Sequence, residues 1–231
     1  HRIKVEKIVS GPAVTQSARR GGGIFNAATP DRTGTAGYLF RDSLTNENYV
    51  LSCYHVMRAD HKWLRFYQSQ AEEICIQVGQ NQSQSIATLY FGYRNHLLDI
   101  AIAKINSMEL FDKKSLPRIT KTAYVDNQYL GAPVKINGMT SGLVDANIYE
   151  SEVEVNIKYE DGSIQTFSNF FSLSMPYDLT CPTDHGDSGG LVFRENGEAL
   201  GIIVGGSKSL AYAMKIPVIE DMLGIKIIPS A

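Results

Sequence analysis

The sequence has little cysteine, no excess of charge and no long apolar run. Its 3 cysteines, Cys53, Cys75 and Cys181, are too few and odd in number for a disulfide framework, and they fit a reducing compartment. The formal net charge of −2 gives no reason to expect that the chain binds nucleic acid or an anionic membrane. No stretch approaches the roughly 18 apolar residues of a membrane span. We therefore expect no nucleic-acid partner, no membrane partner and a cytoplasmic location.

Metal-ligand patterns are also absent from the sequence. The cysteines lie far apart, and His55 and His61 have no further ligands at zinc-site spacing. We expect neither a metal nor a cofactor. The chain starts with His1 rather than methionine, and its charged start lacks a secretory signal. This start indicates either a processed product or an excised piece of a longer protein.

Short apolar runs alternate with turn residues along most of the chain, which is typical of β-sandwiches and β-barrels. Between residues 150 and 159, three aliphatic side chains alternate with polar ones, a period that buries one face of a strand. The polar stretch 106–124, which contains Pro117, divides two sets of strands. Residues 217–223 are predicted as a short helix with Pro217 in its first turn. The sequence thus predicts an all-β protein in two halves.

Three short stretches carry the chemistry. The run Gly186-Asp187-Ser188-Gly189-Gly190 can hold a serine on a sharp turn with backbone N–H groups exposed beside it. His55 follows a strand-like run and suits a general base, and Asp99 lies between Leu98 and Ile100, where a carboxylate is costly unless it is paired. Together these residues predict a Ser-His-Asp triad in the chain order His, Asp, Ser.

A second motif, G-x-S-x-G, also matches through Gly186, Ser188 and Gly190, and it marks the nucleophile elbow of α/β-hydrolases. In that fold the catalytic histidine follows the serine. No histidine follows Ser188 in this chain, and strands do not alternate with helices. The order of the residues excludes this alternative.

The three stretches resemble the trypsin/chymotrypsin-like serine proteases, whose fold is two antiparallel six-stranded β-barrels with the active site in the cleft between them. The resemblance implies an N-terminal barrel over residues 1–115 that carries His55 and Asp99. It implies a C-terminal barrel over residues 116–231 that carries Ser188 and the specificity pocket, followed by a short helix. His55 would be the general base and acid, Asp99 its orienting partner and Ser188 the nucleophile. The N–H groups of Gly186 and Ser188 would form the oxyanion hole.

The sequence is most similar to the disulfide-poor, intracellular branches of this group, which include bacterial trypsin-like domains and the plant NARROW LEAF type. The matching motifs are Gly34-Thr35-Ala36-Gly37 and Gly138-Met139-Thr140-Ser141-Gly142. The cysteines that form bridges in secreted members have no counterparts here. The run Lys7-Ile8-Val9-Ser10-Gly11 is similar to a zymogen cut site, although it also reads as ordinary strand sequence, which is the interpretation we favour.

The resemblance also implies a set of substrate-binding residues. Pro182 stands at the base of the pocket, Thr183, Gly206 and Leu210 lie around its walls, and His185 lines the cleft. Val204, Gly205 and Gly206 belong to the strand that pairs with the substrate backbone. A proline at the base offers no carboxylate to a basic side chain, so the sequence favours a neutral or small residue at the cleavage position. His185 and Thr183 leave an acidic residue open.

These observations predict a serine endopeptidase that acts on a protein or peptide through an acyl-enzyme. We expect it to be a domain of a larger, regulated intracellular protein with regulatory domains or partner proteins. The alternative is a protein-interaction module on a protease scaffold whose triad is gated or inactive. An esterase for small acyl substrates is a more distant alternative.

Overall fold

Strands account for nearly all of the regular structure in the computed structural model, which describes residues 18–19, 22–42, 45–58, 66–67, 72–79, 82–106, 108, 111–112, 118–159 and 162–224. A two-residue strand, β1 (Ala18–Arg19), pairs in parallel with β10 (Phe111–Asp112). All other strands belong to two larger sheets. The all-β prediction and the trypsin-like architecture are confirmed.

The first sheet follows an open path through the N-terminal half. Its strands are β2 (Gly23–Asn26), β3 (Thr33–Thr35), β4 (Tyr38–Arg41), β5 (Asn48–Ser52), β6 (Phe66–Tyr67), β7 (Glu73–Gly79), β8 (Gln82–Arg94) and β9 (Asp99–Ile105). They run in the order β3-β2-β7-β8-β9-β5-β4, and β6 also pairs with β8. Among the described residues this sheet is a half-barrel, because β3 and β4 at its two ends do not pair.

The second sheet closes on itself. Its strands are β11 (Lys121–Thr122), β12 (Pro133–Gly138), β13 (Gly142–Lys158), β14 (Ile164–Ser174), β15 (Leu191–Phe193), β16 (Glu198–Gly206) and β17 (Ala211–Lys215). The order is β11-β16-β15-β12-β13-β14-β17, and the pairing of β16 with β17 completes a ring, to which β11 adds in parallel. A 3-10 turn at Asn127–Tyr129 precedes β12.

Alternating side chains explain why the ring has two apolar faces. Along β13, Val155 and Ile157 are buried whereas their polar neighbours are not, as the sequence pattern predicts. One face of the ring encloses a core that includes Ile136, Phe171 and Ile203. The other face joins the core of the first sheet. The two sheets therefore share one continuous apolar region, against which the residues of the candidate site are placed.

Two short helices complete the described chain. Helix α1 (Tyr54–Met57) follows β5, and helix α2 (Ile216–Leu223) follows β17 with Pro217 in its first turn, as predicted. Gly224, at φ 65°, ends α2 in the left-handed conformation that glycine adopts without strain. Neither helix in the described part of the chain is long and apolar enough to cross a membrane.

Two sequence predictions fall outside the described residues. The run resembling a zymogen cut site, residues 7–11, is one of them. The other is the boundary between the two predicted barrels at residues 115 and 116, because residues 113–117 are not described. Both stay predictions.

Candidate active site

Helix α1 presents His55 from a single turn whose other side chains are buried. Tyr54 and Met57 are fully buried, whereas 19% of the His55 side chain is exposed. The Asn26 side-chain amide donates to the Met57 carbonyl oxygen at 2.8 Å, which satisfies one of the free carbonyls at the end of the helix. This packing leaves the imidazole as the partly exposed side chain of α1.

Asp99 holds His55 through both of its carboxylate oxygens. Its Oδ2 lies 2.8 Å from His55 Nδ1, and its Oδ1 accepts the His55 backbone N–H at 3.1 Å. Asp99 begins β9 and is fully buried. The pair fixes the orientation of the ring and leaves Nε2 as the nitrogen that can accept a proton.

The environment of Asp99 keeps it ionised. Burial by itself raises the pKa of Asp99, but the charge of the His55 ring, the hydrogen bond to that ring and the Arg94 guanidinium together outweigh burial. With the hydrogen bond from Tyr159, they lower the pKa of Asp99 to about 2. The Asp99 carboxylate is therefore ionised at neutral pH.

Tyr159 and Arg94 are functional residues that the sequence analysis missed. Tyr159 directly follows β13. Its hydroxyl donates to Asp99 Oδ2, the oxygen that also faces His55. The Arg94 guanidinium lies 3.6 Å from the centre of the Tyr159 ring, and Arg94 pairs with Asp99 across β8 and β9. The alternation along β13 predicted that the side chain at position 159 is buried. It did not indicate that Tyr159 would bond to Asp99, which lies in the first sheet.

We expect Tyr159→Phe to lower kcat/KM about tenfold, because a hydrogen bond to a charged group contributes about 1.5–3 kcal/mol. Without that bond Asp99 holds the imidazolium less firmly. Steady-state cleavage of one peptide by both proteins measures the effect. Tyr149→Phe is the matched control, since Tyr149 lies on the same strand and is half exposed. An equal loss in both variants would mean that Tyr159 has no special role.

A tight turn shapes the loop around Ser188. The Asp187 N–H donates to the Asp184 carbonyl oxygen at 3.1 Å, which makes Gly186 the third residue of a four-residue turn. Gly186 has φ 101°, the positive sign that the third residue of a type II turn has and that glycine adopts without strain. Among the described residues, no acceptor faces the N–H of Gly186 or of Ser188. Both groups are free to donate to a developing oxyanion.

Neutral donors fix the buried carboxylate of Asp187 beneath this turn. It accepts the N–H of Thr140 at 2.8 Å, the N–H of Ser141 at 3.1 Å and the Ser141 hydroxyl. It also accepts the Asp184 N–H at 2.8 Å. Gly138 packs so closely against Asp187 that a Cβ there would overlap the carboxylate. The loop thus takes its shape from contacts with backbone and hydroxyl groups.

Thr35 links the loop to the first sheet. Its hydroxyl donates to the Gly186 carbonyl oxygen at 2.8 Å and accepts the Met139 N–H at 3.0 Å. Its own N–H donates to the Ser188 carbonyl oxygen at 2.7 Å. Two of these bonds attach the loop to the first sheet, one at Gly186 and one at Ser188, on either side of Asp187.

We expect Thr35→Val to lower kcat about 10- to 100-fold, which is less than the loss of about 10²- to 10³-fold that follows removal of an oxyanion donor itself. Valine has the same shape but cannot bond to Gly186 or Met139. Steady-state kinetics should place the loss in kcat, with KM little changed. Thr35→Ser should restore most of the rate. A change confined to KM would contradict a role in oxyanion stabilisation.

The His55 and Ser188 segments meet at one carbonyl group. The Ile203 carbonyl oxygen accepts the Cys53 thiol at 3.1 Å and the Gly189 N–H at 2.7 Å. Cys53 is two residues before His55, and Gly189 directly follows Ser188. Burial raises the pKa of the Cys53 thiol, so it stays a protonated donor. The structure therefore brings together the three residues that the sequence pointed to.

The Ser188 hydroxyl donates to the Val204 carbonyl oxygen at 3.0 Å, and among the described residues no hydrogen bond joins it to His55. Attack on a substrate carbonyl through His55 requires the hydroxyl to exchange this bond, by rotation between staggered positions, for one to the imidazole. Serine changes between such positions on a fast timescale where nothing packs against its hydroxyl.

The set of predicted substrate-binding residues stays a prediction. Val204, Gly205 and Gly206 form the end of β16, where the Val204 carbonyl meets Ser188, and Leu210 lies just before β17. Pro182 is buried, and Thr183 and His185 are partly buried. His185 Nδ1 is buried with no hydrogen-bond partner among the described residues. No cluster of metal-ligating side chains occurs within the described residues.

Comparison with known proteins identifies the family. The profile of the trypsin family matches residues 38–220. The chain belongs to the trypsin family of serine endopeptidases. The match spans both sheets and includes His55, Asp99 and Ser188. Among curated proteins, no significant match is found.

Solved structures share the fold of this trypsin-family chain at low identity. One is a glutamic acid-specific serine protease described as using a histidine triad in substrate binding, with 16% identity and a TM-score of 0.61, covering 91% of this chain and 100% of its own. Nocardiopsis protease has 14% identity, the same coverage and a TM-score of 0.61. Thermobifida fusca protease A has 15% identity and a TM-score of 0.60, covering 92% of this chain and 100% of its own. Similarity to the plant NARROW LEAF type stays a prediction.

Proposed function

We propose that this chain cleaves peptide bonds through an acyl-enzyme in which Ser188 is the nucleophile, His55 the general base and acid, and Asp99 the residue that orients His55. The observation that carries this proposal is the 2.8 Å contact between His55 Nδ1 and the buried carboxylate of Asp99. A histidine that is oriented by a carboxylate and lies near a glycine-flanked serine can activate the serine hydroxyl.

Each step uses an atom already described. His55 Nε2 takes the proton of Ser188 Oγ as that oxygen attacks the substrate carbonyl carbon, and the N–H groups of Gly186 and Ser188 receive the oxyanion. The C–N bond then breaks, and the leaving amine takes the proton from His55. A water molecule, activated by the same imidazole, hydrolyses the ester on Ser188 and restores the free enzyme.

A fluorophosphonate probe tests the proposal directly, because it reacts with a serine activated by a neighbouring base. We expect the probe to label Ser188 and a diverse peptide library to be cleaved. Ser188→Ala should abolish both signals. Ser83→Ala, which changes an exposed serine on β8, should leave both unchanged. Absence of labelling in the folded wild-type protein would refute the proposed mechanism.

The hydrogen bond from Ser188 to the Val204 carbonyl favours a second candidate, a protease scaffold that is gated until a partner releases the serine. In that case labelling would be slow, and no peptide in the library would be cleaved by the chain alone. A time course of labelling, with the cleavage assay in parallel, separates the two candidates. Rapid labelling together with cleavage rules out the gate.

We further propose that the chain works in a reducing compartment, the cytoplasm, as part of a larger regulated protein. Its cysteines are free thiols, and Cys53 and Cys75 are buried apart from each other in the first sheet region. Fractionation of cells that express the natural full-length protein tests the location. Recovery of the active protein from an oxidising compartment would contradict it.

A further inference from the structure

Cys181 and Thr183 pack against β16 at Gly206, two residues beyond the carbonyl group that accepts the Ser188 hydroxyl. The Val204 carbonyl lies 3.0 Å from Ser188 Oγ, and Gly206 follows two residues later. A Cβ atom added at Gly206 would lie 2.7 Å from Cys181 Sγ and 3.4 Å from Thr183 Oγ1. The space in front of Gly206 is therefore already occupied by these two side chains.

Local hydrogen bonds hold this arrangement in place. Cys181 Sγ and Thr183 Oγ1 lie 3.4 Å apart, and the Cys181 N–H donates to the Lys208 carbonyl oxygen at 3.2 Å. The carbonyl oxygen of Leu210 would lie 3.3 Å from the same Cβ atom at Gly206. The Leu210 N–H donates to Ser207 Oγ at 3.1 Å, and the Leu210 carbonyl accepts the Ser207 N–H at 2.8 Å. These hydrogen bonds limit how far the Cys181 loop and the segment after Gly206 can move apart.

The other side of the same strand is open. Successive residues of a strand point to opposite faces, and a Cβ atom at Gly205 would meet only Ile157 Cδ1, at 3.9 Å. The narrow space is therefore confined to the side of Gly206. If a substrate pairs with Val204–Gly206, as the resemblance to trypsin-like proteases implies, and its carbonyl lies at Ser188, the side chain before the scissile bond enters that space.

We infer that this chain cleaves after small, uncharged residues, namely glycine, alanine and serine, because Cys181 and Thr183 fill the space that a longer side chain needs. The inference rests on the proposed endopeptidase function and names its substrate class. Forcing extra methylene groups into a packed space is unfavourable, and one methylene group changes kcat/KM by about 10- to 200-fold in a fitted pocket. The pocket thus selects by size.

Peptides that differ only in the residue before the scissile bond test this inference. We expect alanine and serine peptides to be cleaved at least about tenfold faster, in kcat/KM, than leucine, phenylalanine, arginine or glutamate peptides. Cys181→Ala should raise the rate for the leucine peptide about tenfold, and Cys181→Ser should return it toward the wild-type value. Cys75→Ala, which removes a buried thiol from β7, should leave the ranking unchanged.

Three results would overturn the inference. The first is a wild-type preference for phenylalanine or arginine. The second is a preference for glutamate, which would point to recognition by His185. The third is a ranking that Cys181→Ala does not alter.

A binding assay keeps this test separate from the test of the proposed mechanism. In Ser188→Ala, iodoacetamide should modify Cys181, which is partly exposed, whereas Cys53 and Cys75 are buried. An uncleaved alanine peptide should slow this modification more than a phenylalanine peptide does. Protection in that order supports the pocket even if the wild-type protein is not labelled by the fluorophosphonate. Equal protection, or none, counts against the pocket even if labelling succeeds.

Discussion

Asp99→Asn should lower kcat by about 10⁴-fold with little change in fold. An asparagine amide in place of the carboxylate can donate to His55 Nδ1, which leaves the proton on Nε2. That tautomer cannot accept the proton of Ser188. The variant also loses the negative charge that stabilises the imidazolium formed during attack. Single-turnover cleavage of the best library peptide measures the chemical step.

A surface variant separates this effect from a general loss of charge. Asp221→Asn changes an exposed aspartate on α2 and should retain full activity. Circular dichroism of both variants checks that the fold is intact. If Asp99→Asn kept more than about a tenth of wild-type kcat, His55 would not depend on Asp99 for its tautomer, contrary to the usual role of this carboxylate.

The same carboxylate contributes stability that depends on pH. The pKa of Asp99 is lowered from 3.8 to about 2, so the folded state binds this proton less readily than the unfolded state. The contribution, about 2 kcal/mol, is present above pH 4 and is lost as the pH falls toward 2. Urea unfolding of the wild type and of Asp99→Asn should show a difference that narrows between pH 5 and pH 2. A constant difference would contradict the lowered pKa.

Gly189→Ala should lower the free energy of unfolding by about 4 kcal/mol or more. Losses of this size are rare and follow severe steric overlap or backbone strain. Gly189 has φ 94°, and a Cβ atom there would overlap both the Ser52 hydroxyl oxygen and the Thr35 carbonyl oxygen. Those atoms are themselves joined by a hydrogen bond of 2.7 Å. The Thr35 carbonyl and the Ser52 hydroxyl cannot easily shift away from the added Cβ atom, because Thr35 is also hydrogen-bonded to Gly186 and Ser188. Urea unfolding measures the loss.

A second glycine separates backbone strain from overlap. Gly162 has φ 82°, and a Cβ atom there would have nothing within 4 Å. Gly162→Ala should therefore cost only about 1 kcal/mol or slightly more, the strain of a positive φ. Similar losses in the two alanine variants would show that overlap at Gly189 is relieved by movement of the loop.

Much of the candidate site could be predicted because local sequence carries its chemistry. Glycines around Ser188 indicate a turn with positive φ, and such values occur at Gly186 and Gly189. Apolar neighbours at Asp99 indicated a buried carboxylate in need of a partner, and Asp99 is fully buried against His55. The chain order of the three residues excluded the α/β-hydrolase alternative. The assignment of their catalytic roles stays a prediction.

Other residues of the site gave no such signal. The contacts of Tyr159 with Asp99, of Thr35 with Gly186 and of Cys181 with Gly206 each join segments far apart in the chain. Tyrosine, threonine and a free cysteine are ordinary residues of strands and loops, so their presence and spacing in the sequence do not reveal a partner. The sequence analysis placed Pro182 at the base of a pocket, whereas the side chain that packs against Gly206 is that of Cys181, one residue earlier.

The sequence by itself determined the all-β architecture, the glycine turn and the set of residues from which a triad could form, because these depend on local patterns of burial and backbone freedom. Only the tertiary structure decided which hydroxyls hold Asp99 and Gly186 and how much space faces Gly206. The first two features arise where the two sheets meet, and the third arises where a loop packs against β16. Packing is a property of surfaces that meet in space and not of neighbours along the chain.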